Sequence, residues 1–236
     1  MTLSRLSRSI ACAAAMALSA GAVWAVNVPG TSNPKLAGMP AGSTDGSDTA
    51  PDQSPVLFVD FALVPGRWLS FSVTGVVGHC PGCEAATPDG ATDFNSADRN
   101  GIAGMTGPIN SLVGVFLTDA QPDLGATPDF LDFRDPTASD PSRLGTSFET
   151  LAPGLKQVFF IGDGFTGTGS GLTQRFYVPE GATRLYLATH DGFGWYNNVG
   201  AFEVTVTTVP EPAAWALMLA GLAGIGVSAP RRRRAG

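Results

Sequence analysis

The sequence predicts an all-β fold, a jelly-roll-like sandwich of two sheets between an N-terminal signal helix and a C-terminal transmembrane helix. Charged residues make up only 14% of the 236 residues, while the chain contains 30 glycines and 18 prolines. This balance is typical of short strands joined by tight turns. No stretch between residues 55 and 208 shows sustained helical periodicity, which also favours strands.

Eight segments of this central region have strand patterns, in the form of short apolar or alternating runs bounded by Gly, Pro and Asp. They are residues 56–63, 68–77, 112–118, 147–151, 157–161, 173–178, 184–189 and 201–207. In the last one, Phe202, Val204 and Val206 face one way and the residues between them the other. This number and spacing of strands favour a jelly-roll sandwich. The longest intervals, 78–111 and 119–146, are expected to be large surface loops.

Two segments precede this domain, and the first of them predicts export. Residues 1–25 have the pattern of a signal peptide, with Arg5 and Arg8 ahead of an apolar run and cleavage expected after Ala25. Residues 26–54 contain few large apolar side chains. They are predicted to form a disordered linker, because too little apolar surface is available to offset the entropy of ordering. One exported domain, 55–208, follows.

Charge limits the choice of partner. Eight basic residues face nineteen acidic ones between Val26 and Thr208, and so negative a domain repels phosphate backbones. We expect no nucleic-acid partner, and cations such as calcium suit the domain better. Cys12 would leave with the signal peptide, so the mature chain keeps Cys80 and Cys83, consistent with an oxidising compartment.

The C-terminal 28 residues, 209–236, combine three features. The tripeptide Pro210, Glu211 and Pro212 comes first. An uncharged run follows at 213–229, which spans about 25 Å as a helix and approaches the thickness of a hydrocarbon core. The chain then carries four arginines that are expected to stop transfer and stay cytoplasmic: Arg231, Arg232, Arg233 and Arg234.

This order of features resembles the PEP-CTERM sorting signal of bacterial exported proteins. The resemblance implies that a membrane-embedded exosortase recognises Pro210, Glu211 and Pro212, cuts near them and passes the protein to the outer surface or extracellular matrix. The expected partners are therefore this processing enzyme and the membrane, and the expected location is the cell envelope. The alternative is an ordinary tail anchor whose prolines merely start the helix.

The loop that begins at Asp191 carries the candidate binding residues. It joins a carboxylate, an aromatic pair (Trp195 and Tyr196) and an amide pair (Asn197 and Asn198) in a glycine-rich stretch leading into a strand. Carboxylate and amide oxygens are ligands that calcium prefers. Aromatic rings with polar handles suit a sugar ring.

This loop resembles the C-terminal calcium loop of the PA-IL-like galactose-binding lectins, with its Asp, aromatic residue, Asn-Asn pair and Gly-x-Phe strand. The resemblance implies that Asp191, Asn197 and Asn198 are calcium ligands, with a backbone carbonyl near Gly194 as another. Asp191 lies one residue closer to the amide pair than in the lectins. The alternative is a hairpin turn at the two asparagines without a metal.

Cys80 and Cys83 have the spacing of a small disulfide, which is the expected state. Two alternatives remain open: a redox dithiol, or a zinc site in which His79 and His190 join the two cysteines.

The functional hypotheses belong to three classes. The first is a non-catalytic envelope or matrix protein that binds an acidic or neutral polysaccharide with calcium. The second is a structural matrix protein without a ligand. The third is a secreted hydrolase that uses His190 with Asp163 or Asp191, and its weak signal includes acidic residues able to act as glycosidase acids: Asp129, Asp132 and Asp135. No Gly-x-Ser-x-Gly, HExxH or phosphate-loop motif accompanies His190, and no enzyme is expected.

Overall fold

The structure is a computed structural model, and it describes residues 24–60 and 62–209. Within these residues the chain forms strands and three short 3-10 helices. The strands are β1 (Trp24–Pro29), β2 (Thr44–Asp45), β3 (Asp48–Thr49), β4 (Val56–Phe58), β5 (Trp68–Gly78), β6 (Asp93–Ser96), β7 (Met105–Pro108), β8 (Leu112–Leu117), β9 (Leu131–Asp132), β10 (Thr150–Leu151), β11 (Val158–Phe160), β12 (Phe165–Gly167), β13 (Ser170–Thr173), β14 (Arg175–Tyr177), β15 (Arg184–Thr189) and β16 (Val199–Val209). The helices are Pro34–Leu36, Pro122–Leu124 and Trp195–Asn197.

Several predictions fall outside the described residues. They are the signal helix, the apolar run 213–229, the tripeptide Pro210, Glu211 and Pro212, and the arginines 231–234. Among the residues that the structure describes, none of the helices has the length and hydropathy needed to cross a bilayer.

Two main sheets form the body of the domain, and their strand orders are β1-β16-β5-β14-β10 and β11-β8-β15-β4. All eight predicted strands lie in these two sheets, and β1 is their ninth member. The prediction of an all-β protein is therefore confirmed, and the two sheets are consistent with a sandwich.

Aromatic contacts show how the two main sheets meet. Phe176 of β14 packs edge to face on Phe71 of β5 at 5.0 Å between ring centroids. The same Phe176 ring lies 5.8 Å from Phe159 of β11, which in turn stacks on Phe116 of β8 at 5.1 Å. One cluster of rings thus joins the facing sides of both sheets, and such pairs stabilise a core beyond the area that they bury.

Strand β16 has the alternation that the sequence predicts. The side chains of Phe202, Val204 and Val206 are fully buried, while Glu203 between them is exposed. The strand pairs with β5 along its whole length and with β1 on its other side. It therefore lies inside the first sheet rather than at its edge.

The segment 26–54 corrects a prediction, because it is folded and not a disordered linker. Strand β1 pairs with β16 in register from Trp24 opposite Val206 to Pro29 opposite Ala201. Val28 and Leu36 are buried in the domain. The segment needs few apolar side chains because the backbone hydrogen bonds of the β16 ladder and a buried polar network stabilise it.

The interval 78–111 and the interval 119–146 also differ from the predicted surface loops. Strands β6 and β7 of the first interval and β9 of the second form a three-stranded sheet. Met105 and Phe133 from this sheet region are buried in the core. Both intervals therefore add to the core. Their strands were not predicted because the few apolar residues are spread too thinly along the sequence to form a recognisable strand pattern.

Candidate functional site

The loop between β15 and β16 carries the predicted ligands, and a residue distant in sequence holds its shape. Gly194 has a φ of 76° at the start of the Trp195–Asn197 helix, a conformation that favours glycine. The carboxylate of Asp48 accepts hydrogen bonds from the backbone N–H of Trp195 at 3.1 Å and of Tyr196 at 2.8 Å. Asp48 therefore caps the free donors of this helix.

Asp48 belongs to a buried polar network of the amino-terminal segment. The Asn33 amide donates to Asp48 and to Asp45, each at 3.0 Å. Burial raises the pKa of the Asp48 carboxyl, and the hydrogen bonds from Tyr196, Trp195 and Asn33 oppose that rise. These residues were not predicted as part of a site, because the sequence pattern of their segment predicts a linker. The pair Gly46-Ser47 is typical of a hairpin turn and could have indicated that this segment is folded.

Trp195 lies on the inner side of the loop. Its side chain is 1% exposed, and its indole Nε1 donates to the carbonyl of Thr189 at 2.9 Å. The predicted sugar-stacking role of Trp195 is therefore wrong, because no face of the ring is open to a ligand. Tyr196, the next residue, is 55% exposed and keeps its ring available.

The three predicted calcium ligands differ in their surroundings, although the Asn198 side chain is hydrogen-bonded to the Asp191 carboxylate. Asp191 is buried and accepts a hydrogen bond from the N–H of Gly192 at 2.6 Å. Burial raises the pKa of its carboxyl. The Asn198 amide donates inward to the carbonyl of Gly30 at 3.1 Å, and its Oδ1 is buried without a hydrogen-bond partner. Asp191 and Asn197 line one cavity, while Asn198 is absent from the residues that line it.

This cavity, called the Asp191 cavity below, has a volume of about 360 Å³. Phe94 forms part of its wall and packs so closely on Gly192 that a Cβ there would lie 2.0 Å from the ring. Phe193 and Tyr196 are both largely exposed at its mouth. The lining residues are His79, Cys80, Phe94, Ile109, Asp191, Phe193, Gly194, Tyr196 and Asn197.

A second cavity of about 340 Å³ shares Phe193, Gly194 and Tyr196 with the first. The guanidinium of Arg99 lies 3.4 Å from the carboxylate of Asp45 at its edge. Lys35 lines it but is 1% exposed, and its Nζ donates to the carbonyl of Ala103 at 2.5 Å. Burial lowers the pKa of Lys35 to about 7.

Cys80 and Cys83 form a disulfide with a Cα–Cα distance of 5.2 Å. A ring nitrogen of His79 and the two sulfurs lie within 4.8 Å of one another. His190 is not part of this group. It is fully buried, its Nδ1 lies 3.0 Å from the carbonyl of Pro108, and burial lowers its pKa to about 4. The alternative zinc site with His190 as fourth ligand therefore does not match the structure.

The carboxylates considered for a hydrolase have local structural partners. Asp163 accepts hydrogen bonds from the N–H groups of Phe165 and Gly169 and so holds the β12–β13 hairpin. Asp132 forms an ion pair with Arg134, which lowers the pKa of that carboxyl. Asp129 and Asp135 are exposed. The buried imidazole of His190 is not accessible to a substrate at the surface.

Neither a protein-family model nor a curated protein sequence matches this chain.

Proposed function

We propose that this chain is an exported protein of the bacterial cell envelope or extracellular matrix whose jelly-roll-like domain binds a polysaccharide at the Asp191 cavity. Delivery uses the signal peptide and a C-terminal helix at 213–229, with an exosortase-type enzyme acting at Pro210, Glu211 and Pro212. The proposal for delivery is supported by the uncharged run before the arginine cluster, which is favourable in lipid, while the cluster resists crossing.

Mass spectrometry of the chain recovered from membranes and from medium tests the delivery. We expect a wild-type mature form that starts near Val26 and ends near the tripeptide. Replacing Pro210, Glu211 and Pro212 together with alanine should leave the full C-terminus in the membrane fraction. Recovery of the intact precursor from the cytosol would contradict the proposal.

One observation carries the proposed binding function: exposed aromatic rings and oxygen-bearing side chains share one cavity. Phe193 and Tyr196 are 79% and 55% exposed at its mouth, and Asp191 and Asn197 line it. A sugar presents an apolar face of C–H groups and a rim of hydroxyls. Aromatic rings bind the apolar face, and carboxylate and amide groups bind the hydroxyls.

We infer that calcium at this cavity would have fewer protein ligands than the lectin resemblance implies. Asp191 and Asn197 would hold the ion, because Asn198 is turned inward toward Gly30. Calcium takes six to eight oxygens, and when bound here it would orient sugar hydroxyls as additional ligands. Backbone carbonyls and water would complete the set.

Titration calorimetry with neutral and uronic-acid oligosaccharides tests the sugar site. Tyr196→Ala and Phe193→Ala should each weaken binding at least about tenfold, which corresponds to the loss of one aromatic contact. Leu172→Ala is the matched control, since Leu172 is 59% exposed on the separate β12–β13 hairpin. Unchanged binding in Tyr196→Ala, or no binding by the wild type, would leave a structural matrix protein instead.

A calcium titration in the same instrument separates the metal from the sugar. Asp191→Asn should abolish calcium binding, while Asp129→Asn, at an exposed carboxylate outside the cavity, should preserve it. Because burial raises the pKa of Asp191, protons should displace calcium at a higher pH than at an exposed aspartate. Sugar binding that persists in a chelator would retain the sugar site and remove the metal from it.

A further inference from the structure

The loop that contains the disulfide offers a second candidate site, in which the buried His190 takes no part. His79 and Cys80 both line the Asp191 cavity. A ring nitrogen of His79 and the sulfurs of Cys80 and Cys83 lie within 4.8 Å of one another. Two thiolates and an imidazole are the ligands that zinc prefers, and three such groups this close can meet one ion with small side-chain rotations.

The surroundings of His79 provide an independent observation. Asn110 is 1% exposed, its amide lies 3.3 Å from His79 Nδ1, and its Oδ1 is buried without a hydrogen-bond partner. Rotating the amide by 180° turns Oδ1 toward the ring, where it accepts a hydrogen bond from Nδ1–H. This bond fixes the tautomer that leaves Nε2 free as a ligand. A carbonyl that orients the imidazole in this way is the usual partner of a metal-bound histidine.

We propose that reduction of the disulfide between Cys80 and Cys83 creates a zinc site made of His79 and the two cysteines, with its fourth coordination position open toward the Asp191 cavity. A thiol reductant supplies two electrons and two protons to the disulfide and is itself oxidised to a disulfide. Zinc then displaces both protons as the two thiolates coordinate it. Both cysteines are partly exposed next to the exposed Pro81 and Gly82, which makes the bond accessible to an attacking thiol.

The oxidised and zinc-bound states exclude each other, because a disulfide sulfur is not a thiolate ligand. The loop therefore has two closures, one covalent and one through a metal. The inference does not rest on sugar binding, since none of its three ligands is an aromatic or oxygen-bearing residue of the proposed sugar site.

The test compares oxidised and reduced samples of the full chain carrying Cys12→Ser, so that only the two loop thiols change. Cobalt(II) serves as the spectroscopic probe and zinc as its competitor. We expect the reduced chain to bind one equivalent with a thiolate-to-cobalt absorption band that zinc removes, and the oxidised chain to bind at least about 100-fold more weakly. Equal uptake by both samples would overturn the proposal.

Two variants test the imidazole ligand and the residue that orients it. His79→Ala should weaken cobalt binding by the reduced chain at least about tenfold, and Asn110→Ala should weaken it by about ten- to 100-fold through the lost orienting contact. Glu84→Gln is the matched control, because this exposed carboxylate is adjacent to Cys83. Unchanged binding in His79→Ala would show that the dithiol alone binds the metal, contrary to the proposal.

Histidine NMR gives a readout that does not depend on any variant. The chain contains only two histidines, so both imidazoles can be followed in the wild type. Zinc added to the reduced chain should shift the ring resonances of His79 and leave those of the buried His190 in place. Movement of both sets together, or of neither, would contradict a site at His79.

Discussion

The inner and outer sides of the loop between β15 and β16 carry neighbouring residues of the same chemical type with different surroundings. Trp195 is 1% exposed and Tyr196 is 55% exposed. Asn198 is buried and donates to Gly30, whereas Asn197 lines the Asp191 cavity. The comparison shows that the fold decides which candidate binding residues of an irregular loop are buried and which are left exposed.

Truncating one aromatic residue on each side of the loop should give the largest difference in stability. Trp195→Ala should lower the free energy of unfolding by about 3–5 kcal/mol, because it leaves a cavity and an unsatisfied carbonyl on Thr189. Tyr196→Ala should change it by no more than about 0.5 kcal/mol, as for other exposed positions. Urea unfolding measures both changes. A Trp195→Ala domain as stable as the wild type would contradict the structural role of the buried Trp195 side chain.

Removing the carboxylate that holds the inner side should have the next largest effect. Asp48→Ala leaves the N–H groups of Trp195 and Tyr196 without their acceptor and removes one of the two carboxylates to which the Asn33 amide donates. We expect a loss of about 3 kcal/mol, measured by urea unfolding, together with faster hydrogen exchange of these two N–H groups. Asp52→Ala, at an exposed carboxylate of the same segment, is the control and should change stability little.

Removing the disulfide beside the Asp191 cavity should lower the free energy of unfolding by a smaller amount. Replacing Cys80 and Cys83 together with serine removes a closure of only four residues, for which chain entropy gives about 2 kcal/mol. Thermal unfolding measures the loss, and the indole N–H resonance of buried Trp195 should stay in place below the transition. A large shift of that resonance would mean that the two sides of the loop are coupled.

The pH dependence of stability tests the burial of Lys35, which lines the second cavity. Burial lowers its pKa to about 7 in the folded protein, from 10.5 for an unperturbed lysine, so the unfolded chain binds its proton first as the pH falls. The free energy of unfolding should therefore decrease by about 1.4 kcal/mol for each unit by which the pH falls from 10.5 toward 7. Lys35→Met should remove this slope, as measured by urea unfolding across that range. A slope that persists would assign the dependence to another group.

Much of the fold was predictable because a strand pattern is contained in a short stretch of sequence. Each of the eight predicted strands lies in one of the two main sheets, and the alternation of Phe202, Val204 and Val206 matches their burial. The candidate site was predictable in its location and in part of its chemistry, since Asp191, Tyr196 and Asn197 do meet at one cavity. The roles of Trp195 and Asn198 were not predictable, because their neighbours come from distant segments.

The amino-acid sequence by itself determined the all-β class, the positions of the main strands and the loop that carries the candidate site, because strand periodicity and turn residues are properties of short segments. Only the tertiary structure decided that residues 26–54 are folded and which residues of the loop line the Asp191 cavity. The reason is physical: the carboxylate of Asp48 reaches Trp195 across 147 residues of sequence, and burial is set by such distant partners, which no local pattern encodes.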